Sequence, residues 1–156
     1  MKYVKFYENF NSLILYHGTP EEFEHLKTDS RLSGLYASTA IEVAKTYSGR
    51  NGSIYKLHPK KEIKIKDLSD GFDLLQYIIK EEIIDEIDDD LENYILGGRL
   101  FQYDIQSRTH YVDSIVNNVR YDGFDLVKIP DDLGGYGENV AYVILNMEKF
   151  NYEKIK

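Results

Sequence analysis

Leucines and isoleucines at positions 75, 79, 83, 87 and 91 recur every four residues, and Leu74, Ile78 and Ile84 widen the stripe. That spacing predicts one amphipathic helix over residues 70–90, apolar on one face and acidic on the other. Gly97 and Gly98 end whatever helix continues past residue 91. A different pattern fills residues 139–145, which after Asn139 are apolar without interruption and rich in β-branched and aromatic side chains. It reads as a strand buried on both faces. Residues 62–66 alternate Ile63 and Ile65 with Lys64 and Lys66, which predicts a half-buried strand with a lysine outer face.

Shorter patterns fill in the rest. Residues 13–16 predict a strand ending at His17. Residues 53–57 predict another, followed by a turn at 58–61, and residues 124–129 a third, stopped by Pro130. Pro20 with two acids after it predicts a helical first turn over residues 20–26, before a polar loop at 28–34. Residues 39–47 predict a helix capped by Ser38 or Thr39, with Glu42 placed to complete a capping box. Residues 110–120 predict a helix that ends in the turn 121–123. Residues 2–10 and 99–109 carry no readable period. Together these elements predict an α+β fold: one domain over residues 1–156, with mixed β-strands around a cleft, peripheral helices and a helical insert at about 70–120.

Composition narrows the chemistry. The 156 residues are enough for one domain with a core of its own. There is no Cys, which excludes a disulfide framework, a thiol nucleophile and Cys-ligated zinc. The four His, at 17, 25, 58 and 110, show no metal-ligand spacing, so no metal is expected. No apolar run reaches the ~20 residues of a membrane span, and the N-terminus is not a signal peptide. The expectation is a cytoplasmic protein without a membrane partner, which leaves open action in a host cell.

The net charge of −8 is local. Residues 81–92 hold eight acids and no base, and without them the chain has as many basic residues as acidic ones, 19 of each. A neutral body with one acidic segment does not suggest binding to nucleic acid, whose affinity rests largely on phosphate neutralisation. The acidic segment is first of all a solvated face. Its functional alternative is docking to a basic partner.

Three stretches carry candidate chemistry. Glu138 follows a glycine-rich turn, residues 133–137, and heads the buried strand. A carboxylate there is awkward, because desolvating an unpaired charge is costly. Leu15-Tyr-His-Gly-Thr19 puts His17 and Gly18 at the end of an apolar strand. Tyr36 precedes the helix of residues 39–47 and Tyr47 closes it, eleven residues later.

In order and spacing this set resembles the His-Tyr-Glu class of ADP-ribosyltransferases, which is similar to diphtheria toxin and the poly(ADP-ribose) polymerases. The resemblance runs from about residue 13 to 150, the middle excepted. It implies an ADP-ribosyltransferase-like domain with NAD as co-substrate. Glu138 would be the catalytic carboxylate, accepting a hydrogen bond from the ribose 2′-hydroxyl and stabilising an oxocarbenium-like transition state. Tyr36 and Tyr47 would sandwich the nicotinamide ring. His17 would bond a ribose hydroxyl on the adenosine side, and Gly18 would offer its backbone to the nicotinamide amide. Thr19 stands where the family often has Ser. Tyr136, in the loop ahead of Glu138, would meet the acceptor.

The sequence departs from the family in two places. Ala44 stands where the polymerases carry a Ser that bonds the carboxamide. Tyr136 stands where arginine-modifying toxins carry Glu, so an arginine acceptor is not supported. Ser38-Thr39 matches only two residues of the Ser-Thr-Ser motif of that other toxin class. The resemblance implies a small mono-ADP-ribosyltransferase of the toxin, effector or phage kind, acting on a macromolecular acceptor, a protein rather than a nucleic acid. Two alternatives are a non-catalytic binding or inhibitor protein that works through its acidic helix, and an NAD glycohydrolase with water as acceptor.

Overall fold

A computed structural model of the chain describes residues 4–6, 13–20, 34–131 and 139–156. Among these residues lie eight strands and five helices. Five strands form one sheet in the order β1 (Val4–Phe6), β5 (Lys64–Asp67), β6 (Leu126–Pro130), β7 (Val140–Ile144), β3 (Leu35–Ala37). Three form a second sheet in the order β2 (Leu15–Thr19), β4 (Ser53–Pro59), β8 (Phe150–Lys154). The α+β class follows directly.

Strand β7 explains its own sequence. It pairs with β6 on one side, Leu126 opposite Ile144, and with β3 on the other, Tyr36 opposite Val143. One of its faces presents Val140, Tyr142 and Ile144 to an apolar cluster shared with Leu15, Tyr55, Leu57 and Phe150 of the second sheet. The other presents Val143 to a cluster built largely from helices. All five of its residues are buried, hence the unbroken apolar run.

The helical middle of the chain is the crossover between two parallel strands. β5 and β6 run parallel, Ile65 opposite Leu126. A parallel pair needs a connection of a dozen or more residues. Here the connection holds α2 (Gly71–Lys80), α3 (Asp89–Leu96), α4 (Leu100–Ser107) and α5 (Tyr111–Tyr121). Leu74, Ile78, Leu91, Ile95, Leu100, Ile115 and Val119 of these helices are almost fully buried, in one cluster with Val127, Ile129 and Val143 of the sheet.

This cover corrects two expectations. The single helix over residues 70–90 is two helices, with Glu82 at φ 52° between them. The four-residue period runs through the break, but the charges do not favour one helix. Glu81 with Asp85 and Glu82 with Glu86 would be like-charge pairs four apart, and acids oppose the dipole at the end of α2. At the start of α3 acids are favourable, and Asp88 there caps Leu91 N at 2.8 Å. The predicted lysine outer face is also covered. Lys66 is only 3% exposed, its ammonium lying 5.1 Å over the Tyr77 ring, and Lys64 lies 4.5 Å over Phe124.

Other corrections are local. The helix predicted over 39–47 is α1 (Ile41–Ser48), with Ala40 as its N-cap and no side-chain cap. Ser38 Oγ instead accepts from Ala40 N at 3.0 Å, so no capping box forms. His58 and Pro59 belong to β4 rather than to a turn, and Pro130 is the last residue of β6 rather than a stop before it. The segment 99–109, which had no readable period, is mostly α4. The helical turn expected at residues 20–26 lies, apart from Pro20, outside the described residues.

One carboxylate organises the end of the crossover. His110, at φ 60°, gives α5 no side-chain cap. Asp104 of α4 does so from outside the helix. Its Oδ1 accepts from Tyr111 N at 2.9 Å and Thr109 Oγ1 at 2.6 Å, and its Oδ2 from Val112 N at 2.8 Å. Hydrogen bonds to a charged acceptor contribute about 1.5–3 kcal/mol. We expect Asp104→Ala to lose roughly 2 kcal/mol or more of stability, and Asp104→Asn less, as a lowered urea midpoint at unchanged slope. A loss under ~0.5 kcal/mol would mean that α5 is started by other contacts.

Candidate functional site

Two edge strands meet at the site. β3 is the last strand of the five-stranded sheet and β2 the first of the three-stranded one. A single antiparallel bridge joins them: Tyr16 N donates to Ser38 O at 2.7 Å and Ser38 N to Tyr16 O at 3.0 Å. Beside this bridge lies a cavity of about 310 Å³. Its walls come from β2, β3, α1, α4 and the facing ends of β6 and β7.

Of the residues singled out from sequence, His17, Gly18, Tyr36 and Tyr47 all line this cavity. They come from three elements. Thr19 does not line it; it is buried, opposite Ser53 of β4. Glu138 and Tyr136 lie outside the described residues. The chain around them does reach the cavity. Asp131 lines it, Asp131 N donates to Asn139 O at 2.9 Å, and Ala141 of β7 lines it too.

His17 Nδ1 lies 2.6 Å from Tyr36 O. A carbonyl only accepts, so Nδ1 carries the proton and donates. Burial lowers the pKa of His17 from 6.5, more than this hydrogen bond raises it. The ring is therefore neutral near pH 7, and its Nε2 is an acceptor suited to a hydroxyl donor.

The two tyrosines differ. The Tyr36 ring sits edge-on to Phe101 of α4, centroids 6.0 Å apart at 78°. Its hydroxyl bonds the Asp113 side chain of α5. Burial first, then the negative charges of Asp113, Asp104 and Asp131, push its phenol pKa up, so it stays a neutral donor. Tyr36 is thus a fixed wall. Tyr47, in the last turn of α1, is 61% exposed and lines the cavity from the solvent side. Burial and Asp131 raise its phenol pKa as well.

Gly18 has a packing reason to be glycine. A Cβ there would stand 1.8 Å from Ala44 O, on the backbone of α1. The missing side chain lets α1 lie directly on β2, which sets the distance between His17 and Tyr47. Ala44, almost fully buried, lines the cavity where a larger side chain would fill it.

Sequence reasoning missed Phe101, Asp113 and Asp104. All three come from the crossover, and Phe101 and Asp104 from the segment without a readable period. Among the described residues no group of three or more His, Asp or Glu is placed to hold a metal, and no helix is long and apolar enough to cross a membrane. Glu82, Asp85 and Glu92 of the acidic segment line a second, separate groove of about 450 Å³ with Leu75, Ile79, Ile84 and Ile87.

No protein-family model matches the chain, and no curated protein matches it. A solved structure described as "Crystal structure of an anti-CRISPR protein" is similar over 92% of this chain and 95% of that one, with a TM-score of 0.47 and 14% identity.

Two outcomes follow from this geometry. Gly18→Ala should lower the melting temperature without any ligand, because the clash is with backbone; a variant as stable as the parent would show that α1 can shift freely. His17 binds its proton less readily folded than unfolded, where its pKa is 6.5. Its contribution to stability is complete above that value and is lost as pH falls from there through the lowered folded pKa. The stability gap between the parent and His17→Asn, which keeps a donor toward Tyr36 O, should shrink across that window. A gap that does not change with pH would contradict the buried neutral ring.

Proposed function

We propose that the cavity binds the nicotinamide end of NAD and that the protein is a mono-ADP-ribosyltransferase with a macromolecular acceptor. One observation carries the reading. His17, Gly18, Tyr36 and Tyr47, picked out by motif, line a single aromatic cavity at the junction of two sheets.

The chemistry the residues support is as follows. Tyr36, held by Phe101 and Asp113, offers a fixed aromatic wall to the nicotinamide ring, and Tyr47 an opposing one. Aromatic contacts of this kind contribute roughly 0.5–1.5 kcal/mol each beyond buried area. The neutral His17 accepts a hydrogen bond from a ribose hydroxyl through Nε2. The bond from ribose C1′ to the ring nitrogen breaks, and its electron pair leaves with neutral nicotinamide. The positive charge that develops on the ribose is stabilised by the carboxylate assigned to Glu138. The acceptor then bonds C1′ and releases a proton. Only a group stronger in the transition state than in the ground state accelerates this step, which is the role of the carboxylate.

Residues 132–138 link Asp131 to Asn139 in the chain, and the acceptor would enter beside them; Tyr136 is the side chain assigned to meet it. Connecting segments beside a rigid site commonly carry recognition. A basic partner for residues 81–92 would use the separate groove on the helical side.

Incubation of the protein with NAD should release nicotinamide, and labelled NAD with cell lysate should mark a macromolecule. Release without any label transfer is the glycohydrolase outcome, and NAD binding without release is the outcome for a non-catalytic protein. Glu138→Gln keeps size and most hydrogen bonding but removes the charge. It should lower the rate by more than ~10²-fold with NAD affinity little changed. Near-parental activity in this variant would contradict the assignment.

A further inference from the structure

We infer that the cavity selects a positively charged aromatic ring over a neutral ring of the same shape, and that Asp131 is the residue that selects it. The inference rests on reading the cavity as a nicotinamide site, but it concerns a property that reading does not require.

Among the described residues, the charges that reach the cavity have one sign. Asp131 lines it directly, just after β6, and its charge is felt by the phenols of both Tyr36 and Tyr47. Asp113 bonds the Tyr36 hydroxyl from behind, and Asp104 adds to the same field. No Lys or Arg is among the described residues that line the cavity, and the one histidine there is held neutral by burial. Four aromatic residues, Tyr16, Tyr36, Tyr47 and Phe101, contribute to the walls. Aromatic faces attract cations, more strongly where water is excluded. A carboxylate at the same wall adds a Coulomb attraction that a neutral ring does not feel.

This arrangement bears on the order of events. The nicotinamide ring of NAD is cationic while it is bonded to ribose. When the C1′–N bond breaks, its electron pair returns to the ring nitrogen and the ring becomes neutral. The same wall that holds the substrate ring then loses its Coulomb hold on the product, so the neutral ring is held less tightly than the cationic one. Because the attraction acts on the substrate before the bond breaks, Asp131→Asn should raise KM for NAD without lowering kcat.

The test compares two probes of the same shape. 1-Methylnicotinamide is a cation, and 3-methylbenzamide is its neutral counterpart with carbon in place of the ring nitrogen. Calorimetric titration of the full chain should give at least tenfold tighter binding of the cation. Asp131→Asn should shrink that preference to threefold or less and leave the neutral probe's affinity as it was. The change spares the Asp131 N to Asn139 O hydrogen bond, since it alters only the side chain; a melting curve of the variant checks this. Equal affinities in the parent protein overturn the inference and leave the NAD reading standing. A preference that survives Asp131→Asn overturns the role of Asp131. Nicotinamide release from NAD with neither probe bound also overturns the inference, and failure to bind either probe or to cleave NAD removes the reading beneath it.

Discussion

The site depends on one bridge between two sheet edges. Tyr16 and Ser38 exchange a pair of backbone hydrogen bonds, and His17 adds a third across the junction by donating to Tyr36 O. An edge strand presents unpaired backbone groups that a protein must pair or cover. Here the two edges meet over a single isolated bridge, and a cavity lies beside it. The joint fixes the aromatic wall as well. Tyr36 sits two residues before the bridge, and its carbonyl is held by the neighbouring strand's histidine.

The helical crossover does more than join two parallel strands. It covers the face of the five-stranded sheet, burying Lys66 of β5 and half-burying Lys64, each beneath an aromatic ring. It also supplies Phe101, edge-on to the Tyr36 ring, and Asp113, bonded to the Tyr36 hydroxyl. Asp104 links these roles, since it starts α5 while its charge acts on the Tyr36 phenol. The position of the cavity's fixed wall is therefore tied to the stability of the crossover. The other wall depends on α1, which lies against β2 only because residue 18 has no side chain.

Much of the fold could be read from the chain because burial wrote it there. The unbroken apolar run of β7 signalled a strand covered on both faces, and the turn after α5 was evident from its glycine, Gly123 at φ 88°. The split between α2 and α3 was hidden because both helices place their apolar residues on the same four-residue spacing. Charge placement, not period, decides the break. The lysines of β5 were misjudged because alternation shows which residues share a face, and not what covers that face. The motif residues around His17, Tyr36 and Tyr47 were legible by order and spacing. Phe101, Asp104, Asp113 and the bridge itself were not, since they reach the site through tertiary contacts of a crossover with no motif of its own.

The central claim is that Tyr36 and Tyr47 hold a nicotinamide ring between them. A crystal structure of the protein with NAD tests it most directly. The account predicts the ring between the two tyrosines, its carboxamide at the backbone of Gly18 and a ribose hydroxyl donating to His17 Nε2. NAD bound elsewhere, or a cavity left without the ring at saturating NAD, would contradict it.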